Sequence, residues 1–494
     1  MQLSKSEYMM FLKHPAWLWL KKHDKSKLPE VNEATQARFD AGADFEQYAE
    51  QLFPGGITLG FDSYNEYLTL PARTKQALDG GADIVFQGRH EAGKITCITD
   101  VLKRVKGNTF DLFEIKSSTK AKPEHIEDLA FQTIVLEDAG YEIRTISVAH
   151  VNNAYVRQGA IEADKLVKIT DITAEVRDAI PQTRENIQKA IAVMESPTMP
   201  DPHPRFTSSG NLGEWLGIYQ NLVGEFEPYS IYDLTYCTMT IVSALEKLGI
   251  SRIADIPDDF KLNVKQQHQV LATKRDTPII DAHSIREFIS GLQYPLYFLD
   301  YETAAGAVPP YDGARPYQDV PFQYSLHIIE SPGAKPIHKE YLHTDSQHPG
   351  PSLLTQLRKD MGDKGTVLAW SMSFEKGCND DMGEWCAEHA VFLKDINDRM
   401  ADLMIPFSKN WYVQKEFLGS ASLKYVLPAL IQDPELSYKS LVIQEGTAAQ
   451  RKWMEVFLLG GPIKDKDQFI ADLKAYCGLD TLGMVKIFDK LGSI

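Results

Sequence analysis

The chain has 494 residues, 43% of them hydrophobic and 24% charged, which excludes wholesale disorder and is too long for one hydrophobic core, so two or three domains are expected. A formal net charge of −16 excludes a nonspecific cationic coat for nucleic acid, so any nucleic-acid path has to be a local basic strip. The five cysteines, Cys97, Cys237, Cys378, Cys386 and Cys477, are odd in number and lack zinc or iron–sulfur spacing, which suits a reducing compartment.

In chain order, the apolar run Trp17 to Leu20 is preceded by Lys13, His14 and Pro15 and ended by Lys21 and Lys22. It is too short to span a membrane and has no small-residue cleavage site, so no membrane partner and a cytoplasmic location are expected. Ala34 to Leu52 reads as a helix. Asp83 to Gln87, Ile95 to Val105 and Thr109 to Lys116 read as strands, the last two closed by Lys106-Gly107-Asn108. Pro123 opens a helix with Glu124, Glu127 and Asp128 in its early turns, where the helix dipole favours acids. Ile143 to Val151 is a further strand.

The four prolines between Pro197 and Arg205 read as a linker. From about 206 to 290 the pattern is helical, best from Tyr232 to Leu248, with Gly249 just past its end. Its Leu248-Gly249-Ile250 and Ile253 to Ile256 fit either a plain spacer or a small nucleic-acid-binding hairpin. The apolar strand Tyr297-Phe298-Leu299 opens the last region, and a late helix runs from about Lys466 to Lys490. The expected fold class is α/β, with regions 1–197, 198–290 and 291–494. No internal repeat or low-complexity run is present.

Two sets of side chains carry chemistry. In the first, a turn symmetric about Gly107 places Asp100 opposite Glu114, with Lys116 two residues on and facing the same way. Two carboxylates there can hold Mg²⁺ or Mn²⁺ through oxygen, and the lysine can orient water or offset developing charge. A bulge in the turn would slip that register by one residue. Lys103, Arg104, Lys106, Lys120 and Lys122 flank the spot and fit either a solvated face or backbone phosphates. These residues resemble the RecB-like branch of the PD-(D/E)XK nuclease superfamily. The match is carried by Ile98-Thr99-Asp100-Val101-Leu102, Glu114-Ile115-Lys116-Ser117-Ser118 and Gln132 on the next helix. The resemblance implies a further metal ligand at Glu46, from Gly42-Ala43-Asp44-Phe45-Glu46. The usual aromatic four residues after Gln132 is Leu136 here. His14-Pro15 stands where cluster-bearing relatives have Cys-Pro, so no iron–sulfur cluster is expected.

In the second set, Asp300 and Glu302 alternate along one strand and face the same way at the end of a buried run, where unpartnered acids are costly and a metal ion is a natural partner. Tyr476 and Asp480, one turn apart on the late helix, share a face. The order Asp-X-Glu, a middle acid, then Tyr-X-X-X-Asp resembles the DEDD exonucleases of the RNase H-like, DnaQ-like fold. Trp370-Ser371-Met372-Ser373-Phe374-Glu375 is the local match to the middle motif and maps the third ligand to Glu375. Asp402 resembles a family aspartate that supports the fold and stays outside the ligand set. The resemblance implies two-metal hydrolysis, with Asp300, Glu302, Glu375 and Asp480 as ligands and Tyr476 orienting water. The proline loop from Gly306 to Tyr317, with Tyr311, Arg315 and Tyr317, fits equally a clamp for a single strand and a packed loop.

Both modules together, with Phe322-Gln323, His327 and Gly419 to Lys424, resemble an uncharacterised bacterial family that joins a RecB-like domain to a DnaQ-like domain. That resemblance implies a nuclease with two hydrolytic centres, including 3′ to 5′ exonuclease activity. The implied substrate is nucleic acid with single strands or free ends, DNA favoured over RNA through the RecB-like match; protein partners are unknown. Two rivals remain: an RNA-trimming exonuclease whose N-terminal module only binds, and a catalytically degenerate binding scaffold.

Overall fold

The computed structural model describes residues 1–30, 33–208 and 210–494 of an α/β chain with mixed sheets. Two compact units divide it: one comprises Met1–Phe226 with Thr238–Ser243 and Gly306–Tyr317, the other Glu227–Cys237, Ala244–Ala305 and Gln318–Ile494. Among the described residues no helix is long and apolar enough to cross a membrane.

The first unit holds seven strands: β1 (Leu3–Ser4), β2 (Ile57–Thr58), β3 (Ile84–Ala92), β4 (Ile95–Lys106), β5 (Thr109–Lys116), β6 (Glu142–Val151) and β7 (Val167–Asp171). Strands β3, β4 and β5 form an antiparallel meander, and β6 joins β5 in parallel. A parallel neighbour needs a crossover, and the helix Pro123–Asp138 supplies it. From Leu129 to Leu136 every residue of that helix is buried, as a crossover covered on all sides requires. It stops in a Schellman motif: Tyr141 N–H bonds Leu136 O, Gly140 N–H bonds Glu137 O, and Gly140 takes a φ of 96° that other residues resist.

Strand β3 runs five residues past the expected Gln87, because Arg89 is held inside the unit rather than left to solvent: its guanidinium donates to Tyr67 O at 2.9 Å and Thr96 Oγ1 at 3.1 Å. The chain start also enters the sheet. Leu3 and Ser4 pair with Ile95 and Thr96 of β4, beyond the reach of β5. Ser4 then caps the helix Lys5–Lys13 in a reciprocal capping box with Glu7.

The expected domain boundary at Pro197 to Arg205 is corrected: those prolines lie inside the first unit. The indole N–H groups of Trp19 and Trp215 bond Ser196 O and Pro202 O at 3.0 and 2.9 Å, and Trp215 stacks on His14 with ring centroids 3.8 Å apart. The helix expected from Tyr232 to Leu248 is also corrected, to Met239–Lys247. Upstream of it Asp233 accepts from the Ser230 backbone at 2.9 Å and Tyr236 turns left-handed at φ 49°, both of which break a helix that apolar spacing alone suggests.

The second unit holds β8 (Ile279–Ile280), β9 (Leu296–Ala304), β10 (Val320–Ile329), β11 (Ile337–Leu342), β12 (Thr366–Ala369), β13 (Met400–Asp402) and β14 (Tyr412–Val413). The main sheet has the order β11-β10-β9-β12-β13, antiparallel on the β10 side of β9 and parallel on the β12 side. Strand β9 is therefore central, and its period of two divides its side chains. Tyr297, Leu299 and Tyr301 pack with Leu353, Leu357 and Met382 on one face, and Leu296 and Phe298 pack with Met484 and Phe488 on the other. Asp300 and Glu302 continue the second face, which the helix Lys466–Gly492 covers.

Candidate metal centres

In the first unit Asp100 and Glu114 come together just beyond the paired stretch of β4 and β5. The turn is centred between Gly107 and Asn108, pairing Lys106 with Thr109, and a bulge between Arg104 and Lys106 then shifts the register to Leu102 with Leu112 and Val101 with Phe113. One step further along that register Asp100 faces Glu114. Ile115 N–H donates to Asp100 Oδ2 at 2.8 Å.

Glu114 is fully buried and its two oxygens are crowded with donors. Oε1 meets the ammonium groups of Lys116 and, at 2.8 Å, Lys5; Oε2 accepts from Gln132 Nε2 at 2.7 Å. Asp128 is bonded by Gln132 Nε2 at 2.8 Å and stands 3.6 Å from both ammonium groups. Burial alone would raise the Glu114 carboxyl, but Lys5 and Lys116 overcome it and hold the group well below the usual carboxylate range. Asp100 is pushed up to about 7 by burial and by the Glu114 charge.

Of the expected N-terminal set, Asp100, Glu114, Lys116 and Gln132 are brought together, while the Glu46 carboxylate accepts from Gln87 Nε2 at 2.6 Å. Two ammonium groups stand where a divalent cation would bind Glu114, so this centre, as arranged, does not fit a metal. Lys5 and Asp128 escaped the sequence reading. The capping box Ser4-Lys5-Ser6-Glu7 marks where Lys5 begins a helix, and Asp128 lies one turn before Gln132.

The second unit differs in kind. Asp300 and Glu302 on β9 lie opposite Ser325 and Gln323 of β10. Glu375 sits in the first turn of the helix Ser373–Trp385, whose entry is set by Ser371 at φ 69°, a strained conformation held by Ser371 N–H donating to Asp402 Oδ1 at 3.0 Å. Asp402 also accepts from Met404 N–H at 2.9 Å, a fold-supporting role. Tyr476 and Asp480 come from the helix Lys466–Gly492, fixed against β10 by Gln323 Nε2 donating to Leu473 O at 3.0 Å and by Thr481 bonding Ser325 and His327 at 2.6 and 2.8 Å.

Glu302 and Glu375 are buried and Asp300 and Asp480 half-buried, and among the described residues none forms an ion pair, Lys424 acting on Glu302 and Asp480 only through its charge. Glu375 Oε2 has no hydrogen-bond partner at all. Burial, then the charges of Asp480, Glu302 and Glu375, holds the Asp300 carboxyl far above its ordinary range. Burial pushes Glu302 and Glu375 to about 8 and Asp480 to about 6. Uncompensated buried acids are destabilising unless a cation joins them, so this donor set fits divalent metal.

Three further groups were missed. Tyr438 donates its hydroxyl to Asp480 Oδ1 in a short contact, and its ring lies 6.2 Å from that of Tyr476. Cys477 places its sulfur 3.5 Å from Asp300 Oδ2. Gly446 leaves the gap that a Cβ would close at 3.4 Å from Glu302 Oε2 and 3.8 Å from Tyr476 Oη. Of the three, Cys477 alone lies inside the Tyr-X-X-X-Asp motif. The proline loop is packed: Arg157 donates to Pro309 O and Pro310 O at 3.1 and 2.6 Å, and Tyr317 bonds Ser117 O.

The raised carboxyls give a pH dependence with a definite sign. Between the ordinary carboxylate range and about pH 8 the folded state holds protons that the unfolded chain releases, so stability falls as pH rises through that window. Without divalent cations Tm is expected to be lower at pH 8 than at about pH 5.5, and Mn²⁺ at pH 8 is expected to restore it. Equal Tm values with no response to Mn²⁺ would remove the acids from this role.

A family model described as a domain of unknown function, DUF2779, matches residues 297–422. The match takes in Asp300, Glu302, Glu375 and Asp402 and stops before Tyr438, Tyr476 and Asp480. No curated protein matches the chain.

Proposed function

We propose that the protein is a metal-dependent nuclease whose hydrolytic centre is the Asp300, Glu302, Glu375 and Asp480 set of the second unit, in an RNase H-like, DnaQ-like arrangement. The observation that carries this reading is the convergence of four carboxylates, Glu302 and Glu375 buried and Asp300 and Asp480 half-buried, from a central strand and two helices, with no ion pair to any of them among the described residues and only the charge of Lys424 bearing on Glu302 and Asp480. Bound Mg²⁺ or Mn²⁺ supplies the activation of water and the stabilisation of the leaving oxygen. The chain's own residues do the rest. Asp300 and Glu302 present oxygens from one face of β9, Glu375 and Asp480 flank them, and Tyr438 fixes the Asp480 carboxylate by its hydroxyl. Burial and the surrounding acids hold the Tyr476 phenol protonated, so it can orient water by hydrogen bonding without competing as a ligand.

For the first unit, the strand order around Asp100, Glu114, Lys116 and Gln132 supports the PD-(D/E)XK resemblance, and the double ammonium contact on Glu114 favours a second reading of it as a substrate grip. Lys5 and Lys116 then meet phosphate in place of metal. DNA is the favoured substrate through the RecB-like resemblance, with RNA as the alternative.

The test is an assay of single- and double-stranded DNA and RNA with Mn²⁺ and with chelator. Mononucleotide release from the 3′ end of single strands, abolished by chelation, is the expected result. No release from any of the four substrates, or release indifferent to chelation, would sink the reading.

A further inference from the structure

Cys97, Cys378 and Cys386 sit within apolar core clusters, the usual setting of a buried cysteine acting as a small hydrophobe. Cys477 does not. Its side chain is fully buried, yet its contacts are to Asp300: the sulfur lies 3.5 Å from Oδ2 and 3.9 Å from the backbone carbonyl. One turn of helix separates it from Asp480, which shares its face. Among the described residues, Asp300, Glu302 and Cys477 are the group whose ligand atoms all lie within 4.8 Å of one another. Glu375 adds a carboxylate oxygen, 98% buried at the residue level and without a partner, whose charge bears on Asp300.

The separation of sulfur and oxygen has two readings, a long S–H to O hydrogen bond or one edge of a coordination polyhedron. Around a tetrahedral cation, an oxygen ligand at about 2.1 Å and a thiolate at about 2.3 Å stand about 3.6 Å apart, which matches the observed contact. We infer that Cys477 is a soft donor in the carboxylate centre, giving it a site for a thiophilic divalent cation such as Zn²⁺ or Cd²⁺ built from Asp300, Glu302 and the Cys477 thiolate. Coordination releases the thiol proton to solvent, and no electron is transferred. The inference rests on the metal-centre reading of the proposed function and adds a distinct ligand type to it. Hard Mg²⁺ or Mn²⁺ uses the oxygens alone, so a soft cation competes with the cations that support hydrolysis.

The experiment is a Cd²⁺ titration of the full chain, following the ultraviolet sulfur-to-metal charge-transfer band, with Mn²⁺ binding measured in parallel by calorimetry. The wild-type protein is expected to show the band at one equivalent. In Cys477→Ser the band disappears and Cd²⁺ affinity drops by at least about tenfold, since losing a ligand costs no less than losing an outer partner. Mn²⁺ affinity falls by less than Cd²⁺ affinity there, the thiol being no ligand for a hard cation and the serine hydroxyl still able to donate to Asp300. Cys477→Ala repeats the measurement should the serine variant fail to fold. A band that persists in either variant assigns it to another thiol and overturns the inference. Absence of the band in wild type while Mn²⁺ still binds also overturns it and leaves the nuclease reading standing. Failure of both cations to bind removes that reading and the inference together.

Discussion

Replacing Asp300 by asparagine is expected to lower Mn²⁺-dependent nucleotide release by about three orders of magnitude, the rate equivalent of several kcal/mol of lost metal stabilisation. The same change is expected to leave Tm unchanged or raise it when no metal is present. Asp300 lies on a central strand beside Glu302, Glu375 and Asp480, with the Cys477 thiol against its carboxylate, so the amide keeps the shape and removes a group whose charged form the metal-free site disfavours. A structural acid would behave the other way, losing stability and activity together. Single-turnover kinetics and metal-free thermal unfolding separate the cases, and wild-type kinetics in Asp300→Asn would end the assignment. Any product that survives in this variant and vanishes in Asp100→Asn would belong to a hydrolytic centre in the first unit. Loss of every product in Asp300→Asn alone would leave that unit as a grip.

Lys5→Met is expected to destabilise the first unit by about 3 kcal/mol, the lower end for removing one partner from a buried ion pair. The lower end applies because Glu114 keeps Lys116 and Gln132 when Lys5 is gone. The charge left behind is on a fully buried side chain, which water cannot solvate in place of the ammonium. Adding Glu114→Gln to Lys5→Met should recover most of the loss, because the amide no longer needs an ammonium, and the coupling in that double-mutant cycle measures the pair. Urea unfolding near neutral pH reads both effects. A cost under about 1 kcal/mol for Lys5→Met would class the contact with exposed ion pairs.

What the sequence disclosed, and what it withheld, follows from the range over which each signal acts. The β4 and β5 strands, the helix opened by Pro123 and the late helix are announced by local alternation, a proline and apolar spacing, and they appear close to their expected bounds. The facing of Asp100 and Glu114 was right for an incomplete reason: the bulge at Val105 cancels the offset of the turn, and no residue pattern signals that cancellation. Lys5 and Tyr438 were invisible because they reach their acids through long-range packing, from 109 residues away for Lys5 on Glu114 and 42 for Tyr438 on Asp480. Glu46 was carried by spacing within one helix, which fixes a face but not what that face meets. The prolines after Pro197 broke helical pattern, as proline does, yet a break in local structure is not a break in packing, and Trp19 and Trp215 hold them to the first unit.

The helix Lys466–Gly492 carries Tyr476, Cys477 and Asp480 near its middle, while Leu473, Met484, Ile487 and Leu491 of the same 27 residues fill the core. Chemistry and architecture are thus inherited as one object. A lineage cannot discard this segment as it would a surface loop, nor graft it onto another scaffold without its packing partners.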